Sequence, residues 1–137
     1  LFARYADDFY VPGKSEEELK ALIPKIAEFL AKRGLQLSNS KTKITNITEG
    51  FDALGYHFRE YPDKTRIKGT KQGIFLVKPA KENMVRFRRD LSKLIREHRK
   101  APMFTLVKKL NEKQRGWSEY YRTVTAQKSF SSISYHL

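Results

Sequence analysis

Leu1-Phe2-Ala3-Arg4-Tyr5-Ala6-Asp7-Asp8-Phe9-Tyr10-Val11 sets two adjacent carboxylates between two short apolar and aromatic runs. Leu1 to Ala6 and Phe9 to Val11, broken by an Asp-Asp step, read as a β-hairpin with acids at its tip. Like charges so close repel each other. A divalent cation removes the repulsion, and hard cations such as Mg²⁺ prefer carboxylate oxygens and often share their shell with substrate phosphates. Asp also favours ordinary polar turns, so the hairpin alone leaves both readings open.

Downstream of the hairpin, Ser15-Glu16-Glu17-Glu18 carries the capping-box pattern of a helix start. Leu19, Leu22, Ile23, Ile26, Phe29 and Leu30 recur at helical spacing, Pro24 is expected to bend the helix, and Gly34 supplies a stop. Short β-like runs follow at Leu35 to Leu37, Ile44 to Thr48, Ala53 to Phe58 and Gly73 to Val77. After Pro79 the period turns helical. Met84, Phe87, Leu91, Leu94, Ile95 and His98 share one face, while Arg86, Arg89, Lys93, Arg96 and Lys100 form a basic stripe opposite. A second helix is predicted over Phe104 to Leu110, with Leu106, Val107 and Leu110 inward. Asn111 and Gly116 then bracket a turn before another helix begins at Gly116. Trp117, Tyr120 and Tyr121 fit either a core face or base stacking.

Charge is unevenly placed. Residues 1–60 hold nine Lys/Arg and nine Asp/Glu, so the formal +13 belongs entirely to residues 61–137, with 19 basic and six acidic residues. A pI near 10.0 with this asymmetry points to a polyanionic partner, nucleic acid before membrane. Only Glu82, Asp90 and Glu97 are acidic between 81 and 100, so the stripe reads as a phosphate-tracking face rather than a mixed solvated one. No run of about 18 apolar residues is present to span a bilayer, and no secretory signal precedes the first strand. A cytoplasmic location, in a bacterial or organellar interior, is therefore predicted. Without cysteine, disulfides and thiolate sites are excluded, and three scattered histidines do not suggest zinc.

The blocks agree, in order, with one family. Tyr5-Ala6-Asp7-Asp8 followed by Phe9 resembles the active-site hairpin of reverse transcriptases, those encoded by group II introns above all. Leu35-Gln36-Leu37-Ser38-Asn39-Ser40-Lys41-Thr42-Lys43 looks like the lysine-bearing palm segment, and Phe51-Asp52-Ala53-Leu54-Gly55-Tyr56 is similar to the primer-grip hairpin. Leu110-Asn111-Glu112-Lys113-Gln114-Arg115-Gly116-Trp117-Ser118-Glu119-Tyr120-Tyr121-Arg122 resembles the maturase, or thumb, signature.

The resemblance implies an α+β fold. A partial palm of antiparallel strands and a packed helix over residues 1–78 is followed by an all-helical thumb/maturase segment over 79–137. It implies templated addition of deoxynucleotides to a primer on RNA by two-metal catalysis, with Mg²⁺ on Asp7 and Asp8. Tyr5, Ala6, Lys41, Leu54, Gly55 and Tyr56 would meet nucleotide or primer. Arg86, Arg89, Lys93, Arg96, Lys100 and Arg115 would meet RNA. Partners would be intron or template RNA, primer-template duplex and deoxynucleotides. The family's centre also uses an aspartate from an earlier palm strand, expected before Leu1, so this stretch alone is expected to be inactive and to leave a strand edge for that upstream segment. Ala53 stands where an aromatic is more usual and is expected to loosen packing. Glu112 and Lys113 also depart from the family pattern. The alternative function is a non-catalytic RNA-binding fragment that assists intron folding and splicing.

Overall fold

The computed structural model describes residues 2–62 and 73–135. The chain is mixed α+β, and its contacts divide it into two compact units, Leu1–Thr45 and Asn46–Leu137. That division reflects packing, a different quantity from the 1–78 and 79–137 division drawn from resemblance.

In the first unit, β1 (Ala3–Tyr5) and β2 (Asp8–Tyr10) pair antiparallel with Tyr5 opposite Asp8, so Ala6 and Asp7 form a two-residue turn. Ala6 has φ 50°, and Asp7 is not among the positive-φ residues, the sign pattern of a type II′ hairpin turn. α1 (Glu16–Ala31) opens on Ser15, whose hydroxyl accepts from Glu18 N at 3.2 Å. The returning bond goes one residue further out than a standard capping box, from Lys14 N to the Glu18 carboxylate at 2.9 Å. The helix runs through Pro24, which leaves the Lys20 carbonyl without its intrahelical donor. It ends in a Schellman arrangement, Leu35 N to Leu30 O and Gly34 N to Ala31 O, with Gly34 at φ +70°. Most of its apolar stripe is half-buried, but Phe29 stays exposed under the Arg33 guanidinium, 3.7 Å from the ring centroid.

Two expected strands are absent. The Leu35 amide is committed to closing α1, and Leu35–Leu37 continues as coil. At Ile44–Thr48 local bonds win: Asn46 Oδ1 accepts from Thr48 N and Oγ1, and Glu49 and Gly50 turn back onto Asn46 O.

The second unit holds a sheet ordered β3 (Phe51–Ala53), β4 (Tyr56–Tyr61), β5 (Ile74–Pro79), all antiparallel. Phe51, Tyr56, Phe58 and Phe75 line one face, with Phe51 stacked on Phe58 at 5.2 Å. On the other face Lys78 sits 3.9 Å from the Tyr61 ring centroid, with Arg59 near the same ring. Ala53 is 8% exposed, so the small residue expected to loosen packing is enclosed.

Helices α2 (Lys81–Glu97), α3 (Met103–Tyr121) and α4 (Gln127–Ser134) follow. The core is Phe87, Leu91 and Ile133, with Leu110 and Trp117 against it. The turn expected between Asn111 and Gly116 does not form. Leu110 and Trp117, seven residues apart, meet the same core, and one interior glycine costs a helix only about 1 kcal/mol, less than that packing returns. Trp117 stacks on Phe87 at 5.0 Å and Tyr121 is 2% exposed, so these two take the core face, whereas Tyr120 stays 51% exposed. Val107, expected inward, is 44% exposed.

Candidate nucleic-acid interface

At the first hairpin, Asp7 occupies the turn and Asp8 opens β2, both exposed. Arg4, the nearest cation in sequence, donates Nε–H to the Ala6 carbonyl at 3.1 Å rather than to a carboxylate. Asp8 shares a strand face with Tyr10, whose pKa is raised by burial first and by the Asp8 charge second. Tyr5 is 63% exposed beside the turn. Among the described residues no cluster of three or more His, Asp or Glu side chains is arranged to hold a metal. Asp7 and Asp8 therefore fit a hard cation as part of a shell, not as a complete cage. Lys41 lies exposed on a separate turn, its amide bonded to Ser38 O at 3.0 Å. No hydrogen bond or ion pair among the described residues joins it to either aspartate.

The second hairpin is built differently. Ala53 pairs with Tyr56, so Leu54 and Gly55 form the turn, at φ 52° and 81°, both in the left-handed region. This is the type I′ pattern that matches strand twist, but a leucine there costs about 1–2 kcal/mol. Such strain persists only where the surroundings over-determine it. Here they do. Tyr120 donates its hydroxyl to Leu54 O at 2.7 Å, and Tyr121 donates to Gly55 O at 2.9 Å, which also accepts Ala80 N at 2.9 Å. Tyr56 in turn donates to Tyr120 O at 2.8 Å and stacks on that ring at 5.1 Å. Burial, then Tyr120 and Tyr121, raises the Tyr56 pKa.

Asn83 extends this network outward. Its Nδ2 donates to the Tyr121 hydroxyl at 3.1 Å, and its Oδ1 accepts from Arg86 at 2.8 Å. The first cation of the basic stripe is thus tied to the hairpin tip. Arg86, Arg89, Lys93 and Arg96 lie exposed on α2, opposite Phe87 and Leu91, whereas Lys100, expected in the same stripe, is exposed on the turn that follows because the helix ends at Glu97. Arg115 is exposed on α3. The periodicity did not single out Asn83, nor Arg88, which bonds Ser132 Oγ and ties α2 to α4. A phenol rather than a phenyl at two adjacent helix positions was the available signal, because a buried tyrosine hydroxyl needs a partner.

Residues 1–58 match the family described as reverse transcriptase (RNA-dependent DNA polymerase), which defines the class. Residues 84–137 match the group II intron maturase-specific domain. The chain belongs to the group II intron-encoded reverse transcriptases and maturases. No curated protein matches it. Among the described residues no helix is long and apolar enough to cross a membrane.

Proposed function

We propose that this chain serves RNA-directed DNA synthesis of the group II intron type, with Asp7 and Asp8 as carboxylate ligands of the polymerase centre. The observation that carries the reading is an exposed pair of acids on a tight turn whose nearest cation in sequence, Arg4, bonds backbone instead. Bound there, Mg²⁺ would neutralise charge on the attacking primer oxygen and on the leaving pyrophosphate. Asp7 is the principal ligand and Asp8 shapes the local field. Asp7 and Asp8 would hold the cation together with a further carboxylate and the nucleotide phosphates. Tyr5 and Ala6 flank the incoming deoxynucleotide or primer end, and Lys41 offers charge to the pyrophosphate.

The second hairpin contacts the primer. The amides of Leu54 and Gly55 have no hydrogen-bond partner among the described residues, and adjacent amides in a turn suit a phosphate oxygen. The α2 stripe grips the template-primer duplex or intron RNA through backbone charge, which positions without specifying sequence.

A second reading, RNA-binding assistance to intron folding without chemistry, is favoured by the exposed α2 stripe. Primer extension on an RNA template separates the two. The chain is assayed with Mg²⁺, alone and mixed with a segment carrying the family's fingers and first palm strand. Extension in the mixture that is lost in Asp7→Ala, with RNA affinity retained, supports the polymerase. Support of splicing that survives Asp7→Ala but fails in Arg89→Ala with Lys93→Ala supports the second reading and removes the first.

A further inference from the structure

We infer that Tyr120 and Tyr121 are positioning residues that act on the primer through the second hairpin without touching it. The inference rests on the reading of that hairpin as a primer contact.

A two-residue turn has two carbonyls and two amides to distribute. A carbonyl facing a phosphodiester repels it, whereas an amide attracts it; the Leu54 carbonyl and the Gly55 amide belong to one planar peptide and point in opposite directions, so the orientation of that unit decides whether the tip presents the Gly55 amide to an anion. Both carbonyls are drawn toward α3, Leu54 O by the Tyr120 hydroxyl at 2.7 Å and Gly55 O by the Tyr121 hydroxyl at 2.9 Å. With them fixed, Leu54 and Gly55 are held at positive φ and their amides remain unbonded among the described residues. Leucine does not favour that conformation by itself. The phenols supply the bias that Asn or Gly supplies in other type I′ turns.

The support behind the phenols is equally defined. Tyr121 is 2% exposed, and its oxygen accepts from Asn83 Nδ2 at 3.1 Å while it donates to Gly55 O. A Cβ on Gly55 would lie 2.3 Å from Asn83 Nδ2 and 3.1 Å from the Tyr121 oxygen, so glycine is what admits the pair to this distance. Since Asn83 also accepts from Arg86 at 2.8 Å, one hydrogen-bond chain sets both the tip and the nearest cation of the stripe.

The test uses the full chain and its Tyr120→Phe and Tyr121→Phe variants, which keep the rings and remove only the hydroxyls. Backbone couplings and carbon shifts at Leu54 and Gly55 are read by NMR without ligand. A DNA primer annealed to an RNA template with a recessed 3′ end is then added, and a blunt duplex of the same length serves as control. Expected are a positive-φ signature at Leu54 in the wild type that weakens in both variants, and shifts of the two amides on adding the recessed duplex. The variants should lose about tenfold in preference for the recessed over the blunt duplex, the size of one net hydrogen bond, with overall salt-dependent affinity unchanged. A hydroxyl that served only stability would lower the melting temperature and leave that preference alone. Unchanged couplings and preference in both variants overturn the positioning role while the primer reading stands. Wild-type amides that ignore the recessed duplex overturn the primer reading, and the positioning role with it. If Tyr121→Phe does not fold, Tyr120→Phe, at a half-exposed ring, decides.

Discussion

Gly55 and Gly116 should answer the same added methyl in opposite ways. Gly55 lies at φ +81° with Asn83 Nδ2 2.3 Å from any Cβ, so Gly55→Ala should lower the unfolding midpoint, by a conformational penalty of about 1–2 kcal/mol plus displacement of Asn83. Gly116 sits inside α3 with nothing within 4 Å of a Cβ. Gly116→Ala should raise the midpoint, by about 0.5–1 kcal/mol. Urea melts of the two variants check both signs. Tyr56 gives a pH dependence. Its pKa is raised above the ordinary 10.0, chiefly by burial. The folded state then holds this proton more tightly than the unfolded chain. The contribution is present in full below about pH 10 and is lost as pH climbs through the raised value. Tyr56→Phe should flatten that alkaline loss of stability in melts taken across the range.

At the scale of elements, α2 was the most legible part of the sequence and remains the clearest in structure. Phe87 and Leu91 face inward while four of the five expected cations, Arg86, Arg89, Lys93 and Arg96, face out, the fifth, Lys100, lying beyond the helix end. Leu91 is fully buried, so Leu91→Ala should cost about 2–5 kcal/mol, read as a lowered urea midpoint. Arg89→Ala with Lys93→Ala should leave that midpoint within about 0.5 kcal/mol. The contact of Lys93 with Glu97, at 3.8 Å between exposed groups, adds little. The strands were less legible because their runs are three to six residues long, where one local bond outweighs period. Asn46 turning Thr48 back is enough to abolish the strand expected at Ile44–Thr48. The break predicted inside α3 failed for the complementary reason. Asn111 and Gly116 are turn residues by propensity, but Leu110 and Trp117 are held by one core. The candidate site divided along the same line. Acids and cations could be read from residue type and spacing, whereas the tyrosine bonds at Leu54 and Gly55 join positions 66 residues apart and needed the fold.

For the whole molecule, the governing quantity is where the net charge of +13 lies, since residues 1–60 contribute none of it. If about five phosphates are neutralised, log affinity for single-stranded RNA should fall with log salt at a slope of roughly −3.5. Losing Arg89 and Lys93 should make that slope shallower by about 1.4. Fluorescence anisotropy titrations over a range of salt read both, and a flat wild-type response would remove the phosphate-tracking role of α2. The stacked Trp117 adds an optical consequence. It is the chain's one tryptophan, packed in the second unit against Phe87, Tyr121 and Phe130. Its emission will red-shift when that core opens, yet no indole lies in residues 1–45 to report on the acid-tipped hairpin. An unfolding curve followed by tryptophan emission will describe the second unit only, and a probe placed in the first is needed before any transition can be assigned to the chain as a whole.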